Sequence, residues 1–278
     1  AERLDLVDAV WREVLHVCLQ ESTTLGGPVP PGEERQGWPG PAGGVPTSLK
    51  HRIVCTLLWN GKTLGITRGF KDWRPVGQPL QAINVFQMRE VDEILFLDIT
   101  ATKEARSPDC RLIESLAREC FVPLTVGGGI RSVQDVRDLL NAGADKVSIA
   151  SAWGILEEAA NVFGLQALVG CCDFTAAARD THYTIVYAQH TGEILFHSVP
   201  GDGMMSGFDL SAWCWEWPEG FNNRPTIIAG GAGTYEHFAQ AFDAGASAVA
   251  AGAMWYLTEQ TPLEAKRYLT ARGYEVRL

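Results

Sequence analysis

The segment Leu124–Trp153 reads LTVGGGIRSVQDVRDLLNAGADKVSIASAW, and it aligns without a gap on Thr226–Trp255, TIIAGGAGTYEHFAQAFDAGASAVAAGAMW. Each segment contains, in the same order, an apolar run, a glycine pair, a helix-like stretch, an AGA turn, a second apolar run and a tryptophan. The shorter motif EILF also occurs twice, at Glu93–Phe96 and at Glu193–Phe196. Because the two repeats have nearly the same offset, one half of this region copies the other.

Short apolar runs alternate with helical patterns throughout the same region. The predicted strands are 52–58, 93–98, 122–126, 145–149, 167–172, 193–199, 225–229 and 247–251. The predicted helices lie near 79–90, 109–120, 132–142, 153–163, 209–217, 234–244 and 261–272. Strands that are apolar on both faces and separated by helices are typical of a parallel sheet. Eight of them favour an α/β fold of the (β/α)8 TIM-barrel type, and the repeat predicts that it consists of two homologous halves.

The barrel is predicted to span residues 49–278, after an N-terminal extension of residues 1–48. In that extension, residues 3–20 have helical spacing and residues 25–47 are rich in Gly and Pro. The fifth βα unit is predicted to be shortened, because about twenty residues separate Asp173 from Glu193. An exposed apolar strand surface is costly, so we hypothesise that helix 3–20 packs on the barrel wall, with this gap as one candidate place.

Composition and charge indicate which kinds of partner, compartment and cofactor are expected. The net charge of −10 argues against nucleic acid, and no run of 18 apolar residues is available to span a membrane. The seven cysteines form no CxxC pair, which predicts reduced thiols and a cytoplasmic protein. The six histidines show no metal-ligand spacing, and we predict neither a metal nor a cofactor.

The paired glycines predict sites for phosphate. Backbone without a Cβ atom can approach an anion closely, and free N–H groups at the start of a helix favour negative charge. Each glycine pair is followed, one strand later, by small residues, so the predicted phosphate-binding residues are Gly128, Gly129, Ser151, Gly230, Gly231, Gly252 and Ala253. The alternative is that these glycines only permit tight turns.

Several long motifs in this order resemble the cyclase subunit of imidazole glycerol phosphate synthase. They are FLDIT (Phe96–Thr100), LTVGGGIRS (Leu124–Ser132), AGADKVSI (Ala142–Ile149), IIAGGAGTYEHF (Ile227–Phe238) and the terminal YLTARGYEVRL. The resemblance covers residues 49–278. It implies a barrel of two homologous halves that receives ammonia from a glutaminase partner and uses it, at the C-terminal face, on a bisphosphorylated substrate.

The chain also departs from the family pattern. The resemblance implies two catalytic carboxylates, of which the second matches Asp173 and the first falls on Leu58. Leucine cannot transfer a proton, so closure of an imidazole ring by paired acid–base groups is disfavoured. Asp202 matches a further carboxylate of the family, although its neighbours Pro200 and Gly201 do not match. The strand-1 sequence TLLWNG resembles instead a divergent branch whose members form amidino groups on bacterial surface sugars with an amidotransferase partner.

Further residues take their expected roles from the resemblance. Arg52, Glu93, Lys146 and Glu193 begin four predicted strands and match a ring that gates ammonia at the N-terminal face, where the glutaminase would dock. The alternative is a salt-bridged plug that only closes the barrel. Asp98 and Arg68 match pocket positions, with loop support as an equal alternative for Asp98. The orientation of His197, towards core or pocket, is left open.

The leading hypothesis is therefore the ammonia-accepting synthase subunit of a two-component glutamine amidotransferase, acting on a phosphorylated small molecule with an amidine-type product. Three alternatives stay open. One is imidazole glycerol phosphate cyclase of histidine biosynthesis, and another is a non-catalytic barrel that binds a phosphorylated ligand or activates a glutaminase. The third is a barrel enzyme that keeps the phosphate sites but uses different chemistry without ammonia.

Overall fold

The computed structural model describes residues 50–174, 189–210 and 224–278. Its strands are β1 Arg52–Trp59, β2 Leu64–Arg68, β3 Lys71–Gly77, β4 Glu93–Asp98, β5 Leu124–Gly127, β6 Lys146–Ile149, β7 Leu168–Phe174, β8 Glu193–Ser198, β9 Thr226–Ala229 and β10 Ala248–Ala251. Its α-helices are α1 Pro79–Met88, α2 Cys110–Ala117, α3 Val133–Asn141, α4 Leu156–Phe163, α5 Tyr235–Asp243, α6 Ala253–Leu257 and α7 Pro262–Ala271. Short 3-10 turns cover Trp153–Ile155 and Leu165–Ala167.

Eight of the strands form a closed parallel barrel. Starting from β1, the hydrogen-bonded order runs through β4, β5, β6, β7, β8, β9 and β10, and β10 pairs again with β1. The closing register places Arg52 opposite Ala248 and Cys55 opposite Ala251. This closure confirms the eight-stranded parallel barrel with surrounding helices that the alternating pattern predicts.

The helices begin where the sequence supplies caps. Ser132 precedes α3 and accepts a hydrogen bond from the Asp135 amide, while the Asp135 carboxylate accepts one from the Ser132 amide at 2.9 Å. Thr261 caps α7 with its side chain and is followed by Pro262 at the first helical position. Such caps satisfy N–H groups that have no partner inside the helix, so they fix where each helix starts.

Alternation along the strands divides the apolar core into two layers. One cluster fills the barrel interior and consists of Val54, Leu95, Val169, Cys171, Leu195, Ile227, Ala229, Ala248 and Ala250. A larger cluster lies between the strands and the helices, and it includes Ile53, Cys55, Phe96 and Ile228. Cys171 therefore belongs to the interior layer, whereas its neighbour Cys172 packs in a separate cluster with Phe174 and Phe196.

The segment after β1 is a β-hairpin that the apolar pattern of the sequence does not predict. β2 pairs antiparallel with both β1 and β3. Its two-residue turn consists of Gly69 and Phe70, which have φ values of 57° and 59°. A turn with positive φ at both positions matches the right-handed twist of the flanking strands. The turn therefore fixes the conformation of the hairpin tip. A phenylalanine rarely takes a positive φ.

The predicted strands agree with the observed ones to within two residues at each end, and β4 has the predicted bounds. The short helix α6 and the hairpin strands are additional elements. Three predictions lie outside the described residues, namely the N-terminal helix 3–20 with the extension around it, most of the segment that would show a shortened fifth unit, and the helix near 209–217.

Candidate functional site

Four charged side chains at the strand starts close the N-terminal end of the barrel. Glu93 accepts hydrogen bonds from Arg52 at 2.6 Å and from Lys146 at 2.8 and 3.0 Å. Glu193 accepts one from Lys146 at 2.8 Å and pairs with Arg52 on its other side. The two glutamates are buried, with side chains 1% and 7% exposed. These four residues, called here the strand-start ring, alternate in charge and so neutralise each other, as partly buried charges must.

The two glutamates of the ring stabilise the charge of Arg52. Burial opposes the charge of the Arg52 guanidinium, but the adjacent carboxylates, Glu193 first and then Glu93, outweigh it and raise its pKa. Thr125 donates a further hydrogen bond to Glu93 at 2.6 Å. The arrangement is thus a complete ion-pair network, which can act either as a closed gate or as a plug.

The opposite end of the interior holds a pocket. It is lined by Thr56, Leu95, Leu97, Leu195, His197, Asp202, Gly203, Ala229, Gly230, Gly231, Ala232, Ala250, Ala251, Gly252 and Ala253. The four predicted phosphate residues of the second repeat therefore lie around one pocket with His197 and Asp202. Those of the first repeat, Gly128, Gly129 and Ser151, are not part of this lining, and Ser151 is exposed after β6.

The two glycine pairs occupy equivalent positions in the fold. Gly128 has φ 107°, and a Cβ atom there would lie 2.1 Å from the carbonyl oxygen of Asp98 at the end of β4. Gly230 has φ 85°, and a Cβ atom would lie 2.3 Å from the carbonyl oxygen of Ser198 at the end of β8. In both places glycine is required by the backbone conformation and by close approach of the preceding strand. This requirement is compatible with a phosphate site and does not depend on one.

Asp173, His197 and Asp202 form a cluster at the pocket. His197 Nδ1 lies 3.0 Å from Asp173 Oδ1, and Nε2 lies 3.7 Å from Asp202 Oδ1. Asp173 and His197 are paired directly in the register of β7 and β8. His197 is 5% exposed, whereas the Asp173 side chain is 47% exposed. We call these three residues the acid–histidine cluster.

The carboxylates of the cluster decide the charge of the imidazole. Burial is the largest influence and would lower the pKa of His197, but the hydrogen bond to Asp173, the interaction with Asp202 and their charges raise it to about 9. Burial likewise raises the pKa of Asp173, and the hydrogen bond and charge of His197 outweigh it and hold that pKa below its ordinary value. At neutral pH the pair is therefore an imidazolium and a carboxylate.

The hairpin tip covers the cluster. Thr67 donates a hydrogen bond to Asp202 Oδ2, and the Gly69 amide donates to the Asp202 carbonyl at 2.8 Å. The Phe70 ring meets the His197 ring edge-on, with centroids 5.2 Å apart. A Cβ atom at Gly203 would lie 1.7 Å from the Thr67 carbonyl, so the hairpin and this loop touch through bare backbone. The contacts shield His197 from water.

The remaining predicted pocket residues take different places. Leu58 is 6% exposed near the end of β1 and is paired with Leu97 of β4 and Gly65 of β2. Asp98 accepts hydrogen bonds from the Thr100 and Ala101 amides at 3.1 and 3.0 Å and binds Arg106, so its contacts support the loop after β4. Arg68 is exposed at the end of β2 and does not line the pocket.

The sequence analysis leaves the orientation of His197 open, although the alternation along its strand predicts that the side chain faces the barrel interior. Glu193 belongs to the strand-start ring and so faces the barrel axis. Side chains of a strand alternate between its faces, which puts Leu195 and His197 on the same face as Glu193. The partner Asp202 and the Thr67 contact could not be found this way, because both depend on loop conformation.

Among the residues that the structure describes, no group of His, Cys, Asp or Glu side chains has the arrangement of a metal site. In the same ranges, no helix is both long and apolar enough to cross a membrane.

Comparison with known proteins identifies the family. Residues 53–261 match the family described as Histidine biosynthesis protein. Imidazole glycerol phosphate synthase subunit HisF of Wolinella succinogenes is 37% identical over 253 residues, which cover 82% of this chain and 98% of that protein. The chain therefore belongs to the histidine biosynthesis protein family.

Proposed function

We propose that this family member is the ammonia-accepting subunit of a two-component glutamine amidotransferase. In this role it acts in the cytoplasm on a phosphorylated small molecule and forms a new C–N bond with an amidine-type product. The synthase subunit to which it is similar supports the general assignment to cyclase-like subunits.

One observation supports the proposal that this chain does not close an imidazole ring. The buried position near the end of β1 is held by the hydrocarbon side chain of Leu58, while Asp173 at the end of β7 keeps its carboxylate. A leucine can neither donate nor accept a proton, so proton transfer at this face depends on Asp173, Asp202 and their neighbours. Addition of ammonia needs fewer proton transfers than closure of an imidazole ring.

The strand-start ring supports delivery of ammonia from a glutaminase subunit bound at the N-terminal face. Its four side chains close the barrel end that lies opposite the pocket, and the interior between them includes Ala229, Ala248 and Ala250. We propose that ammonia passes beside these small side chains when the packed interior layer opens. Substitution Glu193→Gln should therefore change glutamine-dependent turnover more than turnover with ammonium salts.

The second glycine pair supports a phosphorylated acceptor. Gly230 and Gly231 precede α5, whose N-terminus favours an anion, and they share the pocket with Gly252 and Ala253. We propose that these four residues hold the phosphate, and that Gly128, Gly129 and Ser151 hold a second one.

Deletion of the gene followed by labelling with [amide-15N]glutamine tests the proposal for an acceptor of any identity. A nitrogen-labelled product should disappear in the deletion strain, and a phosphorylated precursor should accumulate. Complementation with Asp173→Asn should leave product formation lower by a factor of about 10² or more. If the labelled metabolites of the two strains are the same, the chain is a binding or activating barrel instead.

Imidazole glycerol phosphate synthesis is the second candidate, because the match to the Wolinella succinogenes subunit covers nearly all of that protein. Complementation of a histidine auxotroph that lacks its own cyclase subunit tests it directly. Growth with the wild-type gene would establish this function. Growth only with Leu58→Asp would show that the missing carboxylate is what separates this chain from that reaction.

A further inference from the structure

We propose that His197 is the general acid that protonates the acceptor as ammonia adds to its carbonyl group, and that Asp173 positions the His197 ring. This inference rests on the proposed function, because it assigns a proton donor to the addition of ammonia. In this proposal His197 transfers the proton, and Asp173 orients the His197 ring instead of transferring the proton itself.

The geometry of the imidazole separates its two nitrogens. Nδ1 is held by Asp173 at 3.0 Å, which is a hydrogen bond, whereas Nε2 is 3.7 Å from Asp202 and therefore beyond hydrogen-bond distance. His197 also lines the pocket that contains Gly230 and Gly252. A carboxylate that binds Nδ1–H fixes the orientation of the ring, so that the proton on Nε2 can be transferred to a substrate. Acid–histidine pairs in hydrolases use the same arrangement.

The surroundings keep the ring protonated until a substrate arrives. In the described part of the chain, the titratable groups that contact it are Asp173 of β7 and Asp202 of the loop after β8, and Cys171 of β7 contacts Asp173. Burial raises the pKa of the Cys171 thiol, so this group is neutral and the two carboxylates dominate. The pKa of His197, about 9, makes the imidazolium a proton donor at neutral pH and a poor proton acceptor.

The proposed step is balanced without another reagent. The lone pair of ammonia forms the C–N bond with the carbonyl carbon, and the π electrons of the C=O bond move to its oxygen. That oxygen takes the proton from His197 Nε2. The new C–NH3⁺ group then returns one proton to the neutral imidazole, so that a tetrahedral carbinolamine is formed and His197 is again protonated. The hydroxyl of this adduct then leaves as water with the proton of His197, which forms the C=N bond as its cation, and solvent reprotonates the imidazole.

The hairpin shields the proton donor His197 from water, whereas the Asp173 side chain stays half-exposed. Phe70 covers the ring of His197, and Thr67 holds Asp202 Oδ2 so that Oδ1 faces Nε2. In a site from which water is excluded, the charge that develops on the carbonyl oxygen is stabilised more strongly by an adjacent imidazolium. Leu58 thus need not be an acid for the addition to proceed.

The test compares three variants in the deletion strain and as purified full-length chains. His197→Asn keeps an amide near Nδ1 for Asp173 but lacks the Nε2 proton, and we expect product formation to fall by a factor of about 10²–10⁴. His197→Gln keeps an N–H donor near Nε2 that cannot be transferred, and we expect a comparable loss. His190→Asn is the matched control outside the pocket, and it should restore the product fully.

The pH profile separates proton donation from a structural role. With the precursor that accumulates in the deletion strain as acceptor and ammonium chloride adjusted to a constant concentration of free ammonia, wild-type kcat/KM for the acceptor should fall as pH rises through about 9. In His197→Asn this alkaline limb should be absent from the residual rate. Soluble expression and a single cooperative thermal transition at pH 7 show that the variants are folded.

Three outcomes would overturn the inference. Full product formation by a folded His197→Asn chain would exclude His197 and leave the proposed function intact. An alkaline limb that persists in this variant would assign the titrating group elsewhere. Absence of any nitrogen-labelled product that depends on the wild-type gene would overturn the proposed function, and the proton-donor role with it.

Discussion

Placing a histidine between two carboxylates couples the stability of this barrel to pH. The folded pKa of His197, about 9, lies above the ordinary value of 6.5, so its contribution is fully present below pH 6.5 and is lost as pH rises through 9. The pKa of Asp173 is lowered, so its contribution is present above about pH 4 and is lost in acid. The pair therefore stabilises the chain most in the window between these limits.

The first prediction concerns this window. Raising the pH from 6.5 to 10 should remove about 3 kcal/mol from the unfolding free energy of the wild type through His197. His197→Asn should lack this part of the pH dependence, whereas His190→Asn should keep it. Urea unfolding at a series of pH values measures the difference, and parallel curves for wild type and His197→Asn would contradict the assignment.

The second prediction concerns Gly230. Replacement by alanine puts a methyl group 2.3 Å from the Ser198 carbonyl at a positive φ, so we expect a loss of roughly 2–4 kcal/mol in unfolding free energy. Gly154→Ala is the control, because nothing lies within 4 Å of a Cβ atom there, and it should stay within about 0.5 kcal/mol of wild type. Equal stability of the two variants would show that the Gly230 turn relaxes freely.

At the residue scale, the sequence predicts positions better than roles. Its motifs select the glycine pairs, Asp173 and Asp202, but the contact between Asp173 and His197 depends on the register in which the consecutive strands β7 and β8 pair. The pattern also cannot distinguish a glycine that faces a phosphate from one that faces a carbonyl oxygen. Gly128 and Gly230 both lie against a carbonyl oxygen, whatever ligand they bind.

Among the elements, the β2–β3 hairpin has the largest effect on the site. Its tip is tied to Asp202 twice, by the Thr67 hydroxyl and by the Gly69 amide. β2 is buried at its first four positions but is only five residues long, and β3 is almost entirely exposed. The hairpin therefore lacks the longer apolar alternation by which a sequence predicts strands.

The third prediction belongs to this hairpin. Thr67→Val keeps the shape of the side chain but removes the hydroxyl that Asp202 accepts from, and a hydrogen bond to a charged group contributes about 1.5–3 kcal/mol. Hydrogen exchange of the Gly69 amide should then become at least about tenfold faster, since local opening becomes less costly. Thr63→Val, just before β2, is the control and should leave this exchange rate unchanged.

For the whole molecule, the repeat predicts closure of the sheet because eight similar strands must share one core. The barrel strands differ from the predicted ones only at their ends, where hydrogen bonding with the neighbouring strand decides the last residue. The strand-start ring is likewise predictable, since residues at the first positions of parallel strands converge at one end. Its closed network of contacts follows only from the barrel geometry.

The fourth prediction concerns this network. Lys146→Met leaves two buried glutamates with Arg52 as the one remaining partner in the strand-start ring, so we expect a loss of about 3 kcal/mol in unfolding free energy. Lys103→Met, at an exposed lysine, should change it by less than about 0.5 kcal/mol. Urea denaturation gives both values, and a stable Lys146→Met chain would show that the glutamates find other compensation.

The acid–histidine cluster also distributes charge unevenly along the pocket. The Asp173 carboxylate and the His197 imidazolium neutralise each other, and Asp202 adds a second acidic side chain beside them. On the proposed function, the phosphate of the acceptor would lie at the glycine turn and helix N-terminus, away from these acids, and its uncharged end would lie at His197. A molecule that is anionic next to its reactive carbon would then be disfavoured by charge repulsion.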